Sequence, residues 1–92
     1  MASVALTQHL FAFFPALEGR DLEVDGDTVA DIVRGLEEIA PGFEFYVCDE
    51  VGRLRHHVNI FVGGAPLLDR GTLSDPVEPG ATVHIMQALS GG

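Results

Sequence analysis

One stretch of this chain can only be an amphipathic helix, and nearly everything around it reads as strand or turn. From Thr28 to Ile39, apolar residues recur at Val29, Ile32, Val33, Leu36 and Ile39, a spacing that gathers them on one helical face. Asp27 or Thr28 supplies a capping oxygen at its start, and Pro41–Gly42 ends it. Gly35 in its interior costs about 1 kcal/mol relative to alanine, so packing rather than propensity must hold the helix. A lone apolar helical face needs a cover, and the rest of the chain offers strands for it.

Ser3–Leu10 alternates weakly and reads as a first strand, with Val4 and Leu6 on the core side. Leu10–Leu17 is apolar and aromatic, and Pro15 breaks it. Gly19 turns the chain into a short strand over Asp21–Asp25, with Leu22 and Val24 on one face and acid on the other. Phe43–Val47 fits a strand or a short helix equally well. Asp49–Arg53 reads as a turn around Gly52. Arg55–Val62 is the strongest strand signal: His56, Val58, Ile60 and Val62 face one way, and His57, Asn59 and Phe61 the other. Gly63–Gly64 makes a turn, and residues 65–81 form a looped connection with at most one short strand near Pro66–Leu68. Thr82–Ala88 is the last strand.

The order is β-β-α-β-(short β)-β. A mixed sheet of four or five strands over one main helix would bury the helix against Val58, Ile60, Val62, Val83 and Ile85, an α+β arrangement. The expected division is a folded domain over residues 1–88 and a flexible tail over residues 89–92. With 92 residues the chain makes one domain, of radius of gyration roughly 12 Å, with little room for a deep catalytic cleft.

The 47% hydrophobic content fits a folded, soluble protein. Leu10–Leu17 is too short to span a bilayer and lacks the positive flank of a signal peptide, so no membrane role and a cytoplasmic location are expected. The net charge of -9 argues against nucleic acid, whose phosphates would be repelled. It fits either a partner with a basic docking surface or simple solubility. All five basic residues are arginines, so the chain has no side-chain amine through which it could be linked to itself.

Several residues invite chemistry and are set aside. Cys48 is the single cysteine, which excludes an intramolecular disulfide and a four-cysteine iron–sulfur site, and a lone cysteine reads as a small core residue rather than a nucleophile. His56 and His57, as neighbours on a strand, would point to opposite faces and could not chelate one ion. His9 and His84 could lie near His57, but nothing in the sequence fixes this. Asp21, Glu23, Asp25, Asp27 and Asp31 lack a calcium-loop pattern and read as a solvated face. No metal site is expected.

The pattern that carries chemistry is Ala88–Leu89–Ser90–Gly91–Gly92, in which Leu89–Gly92 directly follows the last expected strand. At a glycine frequency of about 7%, a chance Gly-Gly at a given place has odds of roughly 0.5%, so the context matters more than the pair alone. Glycine permits close backbone approach and unusual dihedrals. Four extended residues from Leu89 reach about 13 Å, enough to thread a narrow site on another protein. A terminal carboxylate on Gly92 could be activated there without any catalytic side chain from this chain, which carries no phosphate-binding glycine loop.

Three stretches, Gly52–Val62 (GRLRHHVNIFV), Glu78–Val83 (EPGATV) and Ile85–Gly92 (IMQALSGG), resemble the corresponding phrases of the MoaD/ThiS family of ubiquitin-like sulfur carriers. The element order also resembles that family's β-grasp fold over nearly the whole chain, most loosely at Leu10–Leu17 and Phe43–Asp49. The resemblance implies a carrier rather than an enzyme. It implies an adenylating partner akin to ubiquitin-activating enzymes, a sulfur donor enzyme and a downstream sulfur-accepting synthase. The partner would supply ATP and Mg²⁺, this chain binding no cofactor. The Gly92 carboxylate would become an adenylate and then a thiocarboxylate, with Gly91, Ser90 and Leu89 threading the partner's channel. The family places a hydrophobic docking residue where Met86 stands here. Phe61 shares its side if the two strands are adjacent, so Met86 and Phe61 are the expected exposed docking residues, although Met86 also fits a routine half-buried sheet position.

Sulfur delivery to molybdopterin, thiamin, cysteine or another metabolite is one outcome of this chemistry. Conjugation of Gly92 to a target lysine is another, and a non-catalytic small subunit bound through its tail is a third.

Overall fold

A computed structural model of the chain describes residues 1–19 and 21–87. Five strands form one mixed sheet: β1 (Ala2–Leu6), β2 (Leu22–Val24), β3 (Val58–Val62), β4 (Ala65–Pro66) and β5 (Thr82–Gln87), in the order β2-β1-β5-β3-β4. The central pair, β1 and β5, is parallel, with Val4 opposite Val83 and Leu6 opposite Ile85. The other neighbours are antiparallel. Among the described residues three helices accompany the sheet: α1 (Gln8–Phe13), α2 (Val29–Ile39) and α3 (Phe43–Val47), with a 3-10 turn at Pro15–Leu17. The radius of gyration is 11.9 Å.

The long helix forms where its periodicity places it. The Thr28 hydroxyl accepts the Asp31 N–H at 3.3 Å, and the Asp31 carboxylate reaches back to the Asp27 N–H at 3.1 Å, a variant of the capping box. Two further N–H groups of the first turn, on Val29 and Ala30, donate to the carbonyls of Asp75 and Leu73. The loop after β4 thus satisfies donors that a helix start leaves open. Val29, Ile32, Val33 and Leu36 are buried and join Val4, Leu22, Val24, Val58, Ile60, Val83 and Ile85 in one core. Ile39 and Val62 are half-buried at its edge.

Gly35 faces β2 so closely that a Cβ there would stand 2.3 Å from Val24 Cγ1. The glycine that costs helix propensity therefore lets the helix settle against the sheet. At the other end of α2, the Glu37 carboxylate accepts the N–H groups of Gly42 at 2.9 Å and Glu44 at 2.8 Å. These bonds, that of Gly42 first, hold the Glu37 carboxyl below its usual range. Gly42 sits at φ +99°, which turns the chain directly into α3.

The structure corrects some expectations and settles others. The first strand ends at Leu6 rather than Leu10, because the apolar run that follows coils into α1 and buries Leu10 and Leu17. Phe43–Val47, open between strand and helix, is helical and buries Phe43 and Val47. The third strand begins at Val58 rather than Arg55, because a turn closes ahead of it with the Val58 N–H on the Arg55 carbonyl at 3.0 Å. His56 and His57 are therefore turn residues, and the strand argument about their directions does not apply. Gly63 and Gly64, at φ +58° and +88°, join β3 to β4 in the two-residue hairpin that such dihedrals favour.

Among the described residues no helix is long and apolar enough to cross a membrane. The last residue of the expected final strand, Ala88, and the expected tail Leu89, Ser90, Gly91 and Gly92 lie outside the described residues.

Candidate functional site at the end of the central strand

The strand that leads toward Gly92 runs through the middle of the sheet, and its far end is tied down from two sides. Thr7 follows β1 and extends the parallel ladder: its N–H donates to the Ile85 carbonyl at 3.1 Å. Its side-chain oxygen then accepts the Gln87 N–H at 3.1 Å. From the other side, Tyr46 on α3 donates its hydroxyl proton to Gln87 Oε1 at 2.8 Å. Tyr46 is held by Phe13 and Phe14, both with ring centroids 5.3 Å away. Phe14 in turn meets the buried Phe43 edge-on. The end of β5 is thus fixed by α1 and α3, the two helices that pattern reading had not resolved.

β5 alternates as a half-covered strand should. Val83 and Ile85 are buried, and His84 and Met86 are exposed on the face opposite the helices. β3 lies next to β5, with Asn59 opposite Met86 and Phe61 opposite His84. Met86 and Phe61 therefore do share the outer face, as the alternation predicts. Met86 is 46% exposed, whereas Phe61, in register with His84 of β5 on one side and Pro66 of β4 on the other, is half-buried rather than fully exposed. Met86 and Phe61 thus lie diagonally across β5 and β3 on the outer face, with Asn59 and His84 beside them.

Cys48 is buried at the edge of the core with a free thiol. Burial, reinforced by Glu44 and Asp49, pushes that thiol up to about 11, so it carries almost no thiolate near neutral pH. His84 lies on the outer face opposite Phe61, while His9 sits on α1 with its ring edge-on to Phe13. Among the described residues, no three His, Cys, Asp or Glu side chains come together as metal ligands.

Sequence reasoning missed the pairing of Thr7 and Tyr46 with Gln87. These residues are far apart along the chain, and only the fold of α1 and α3 brings them together. It also missed a group of basic residues formed by Arg53, Arg55, His56, His57 and Arg70 around one cavity.

Comparison with solved structures places this arrangement among known proteins. A chain of the BexX/CysO complex of Amycolatopsis orientalis superposes with a TM-score of 0.84 at 25% identity, over 100% of both chains. CysO of Mycobacterium tuberculosis matches with a TM-score of 0.81 at 25% identity, over 97% of this chain and 100% of the other. SAMP1, the small archaeal modifier protein 1 of Haloferax volcanii, matches at 0.71 and 25% identity, over 99% of this chain and 98% of the other. No protein-family model and no curated protein sequence matches the chain. The fold is the ubiquitin-like β-grasp. In size and architecture the chain is of the same general kind as these small carrier and modifier proteins.

Proposed function

We propose that the chain is a sulfur carrier of the MoaD/ThiS type, working through the Gly92 carboxylate. The observation that carries this reading is the union of two features. One is a β-grasp body similar to CysO over its full length. The other is the Gly91–Gly92 motif, four and five residues beyond the end of β5 in the sequence.

In this reading a partner of the ubiquitin-activating kind holds ATP and Mg²⁺. The Gly92 carboxylate attacks the α-phosphorus of ATP, and pyrophosphate leaves. The resulting acyl adenylate is attacked by the sulfur of a donor enzyme's persulfide. AMP departs, leaving an acyl disulfide between Gly92 and the donor. A second thiol of the donor enzyme then attacks the donor's own sulfur, forming a disulfide there and releasing the thiocarboxylate on Gly92. A sulfur-accepting synthase then takes the sulfur. Leu89, Ser90 and Gly91 would lie in the partner's channel, where the absence of Cβ at both glycines lowers steric demand. The globular body contributes docking: Met86 supplies an adaptable apolar contact, and Phe61 backs it on the same face. That one matching chain comes from a two-protein complex supports a protein partner.

The likeness to SAMP1 favours a second reading, in which activated Gly92 is joined to a target lysine. The two share their first step and part at the second. Intact mass of the protein from its native cells separates them, because replacing oxygen by sulfur adds about 16 Da. Such a gain supports the carrier, and covalent adducts on a denaturing gel support the modifier. Neither change, with a stable stoichiometric complex, would replace both with a structural subunit.

A further inference from the structure

The chain carries a net charge of -9, yet three of its five arginines and two of its four histidines meet in one place. Arg53, Arg55, His56, His57 and Arg70 line a cavity of about 430 Å³ between the turn ahead of β3 and the loop after β4, with Asp49 as the acidic group among them. That Asp49 is occupied: one carboxylate oxygen accepts the N–H groups of Val51 and Arg53, and the other lies 3.6 Å from Arg53 Nε. Among the described residues, neither Arg55 nor Arg70 has a carboxylate partner.

The fold fixes both of these guanidinium groups. Arg70 Nη2 donates to the carbonyls of Arg55 at 2.8 Å and Val58 at 2.9 Å, tying the loop to the turn. Arg55 Nε donates to the Phe45 carbonyl at 3.1 Å, and its guanidinium stacks 4.9 Å from the Phe45 ring centre. Both retain N–H donors beyond these bonds, since a guanidinium has five. A guanidinium held in place this way loses little freedom when it takes up an anion.

We propose that this cavity docks an acidic peptide segment of a partner protein, whose carboxylates are received by Arg55 and Arg70. Two features favour carboxylate side chains over a phosphate group. Phosphate sites lean on backbone N–H groups turned into the site. Here the N–H groups of Asp49, Arg53, Leu54, Arg55 and Gly71 donate to acceptors within the chain, so of the lining backbone only His56, His57 and Arg70 could add N–H donors to those of the side chains. The cavity also borders the outer sheet face, because Arg70 Nη1 approaches Asn59 Oδ1 at 3.4 Å and Asn59 lies opposite Met86. A protein surface resting on Met86 would meet the basic corner at its edge. On an otherwise acidic body such a corner gives a partner one orientation, because any acidic group placed elsewhere is repelled. The proposal does not depend on the chemistry at Gly92.

The test is an amide NMR titration of the full chain with a hexaglutamate peptide in low salt, and separately with inorganic phosphate. The peptide is expected to shift the amides of residues 53–57 and 70–71 and to leave those of 21–31 unmoved. The double variant R55Q/H56Q, with its fold checked in the same spectra, should weaken the peptide about fivefold or more, the effect of losing one charged contact. Absence of shifts, or equal affinity in the double variant, overturns the proposal. Phosphate shifting the same amides as strongly as the peptide also overturns it, by making the cavity a small-anion site.

Discussion

The Tyr46 hydroxyl donates to Gln87 Oε1 at 2.8 Å and so joins α3 to the end of the strand that leads toward Gly92. With Thr7 accepting the Gln87 N–H, the last described residue of β5 is gripped at both backbone and side chain. A reactive group carried on a chain end is useful only if it leaves the body in a defined direction. In the proposed function these two bonds hold the strand from which the tail would leave.

Tyr46→Phe removes the bond while keeping the ring against Phe13 and Phe14. A neutral, part-buried hydrogen bond contributes about 1 kcal/mol, which for a domain of this size lowers the melting temperature by about 4–8 °C. Thr7→Val instead frees the Gln87 N–H. Hydrogen exchange should then speed up at the Gln87 amide while the amides of Val83 and Ile85 in the same strand keep their protection.

Gly35→Ala should be destabilising, the reverse of the helix-propensity rule. Alanine would normally gain about 1 kcal/mol in a helix interior, but its Cβ would stand 2.3 Å from Val24 Cγ1, and overpacking of this kind costs about 1–3 kcal/mol. The double variant Gly35→Ala/Val24→Ala should recover part of the loss. Urea denaturation of the three variants measures the coupling.

Asp69 ties together the loop after β4. Its carboxylate accepts the Thr72 hydroxyl at 2.5 Å, the Ser74 hydroxyl at 2.9 Å and the N–H groups of Gly71 and Thr72. These bonds, the Thr72 hydroxyl first, lower its carboxyl to about 2. A carboxyl depressed on folding adds stability above its unfolded value of about 3.9, and that contribution is lost as pH falls toward 2. Stability of the wild type should therefore drop between pH 4 and 2, and Asp69→Asn should flatten part of that drop. Melting temperatures across this range check both.

Cys48 should be unreactive in the native state. A thiol raised to about 11 and buried in the core should react with iodoacetamide at pH 8 about a hundredfold or more slowly than in the unfolded chain. Native reactivity equal to unfolded would return Cys48 to consideration as a nucleophile.

The parts of the fold legible in the sequence are those set by local periodicity. Val29 to Leu36 recur at helical spacing, Leu22 and Val24 alternate, and Gly63–Gly64 supplies the dihedrals of a hairpin, so α2, β2 and the β3–β4 turn follow from nearby residues. Leu10–Leu17 and Phe43–Val47 are apolar without a clear period, and short apolar runs fit helix and strand alike. Their helical form is decided by what they pack on, as when Phe14 meets Phe43 and Tyr46. The outer-face pairing of Met86 with its neighbours followed from alternation once β3 and β5 were adjacent. The Thr7–Gln87 and Tyr46–Gln87 bonds join residues distant along the chain, and the basic cavity joins the local run Arg53–His57 to the distant Arg70. No window of sequence holds the signal of the two Gln87 bonds or of Arg70's approach to that run.

The most direct measurement is the intact mass of this protein after incubation with ATP, Mg²⁺ and a soluble extract of its native cells, beside the same chain lacking Gly92. A carrier activated at Gly92 gains about 16 Da as sulfur replaces oxygen. That gain depends on ATP and is missing from the shortened chain, whose melting temperature stays the same. A wild-type mass that never changes with ATP, with no covalent adduct formed in its place, would contradict activation at Gly92.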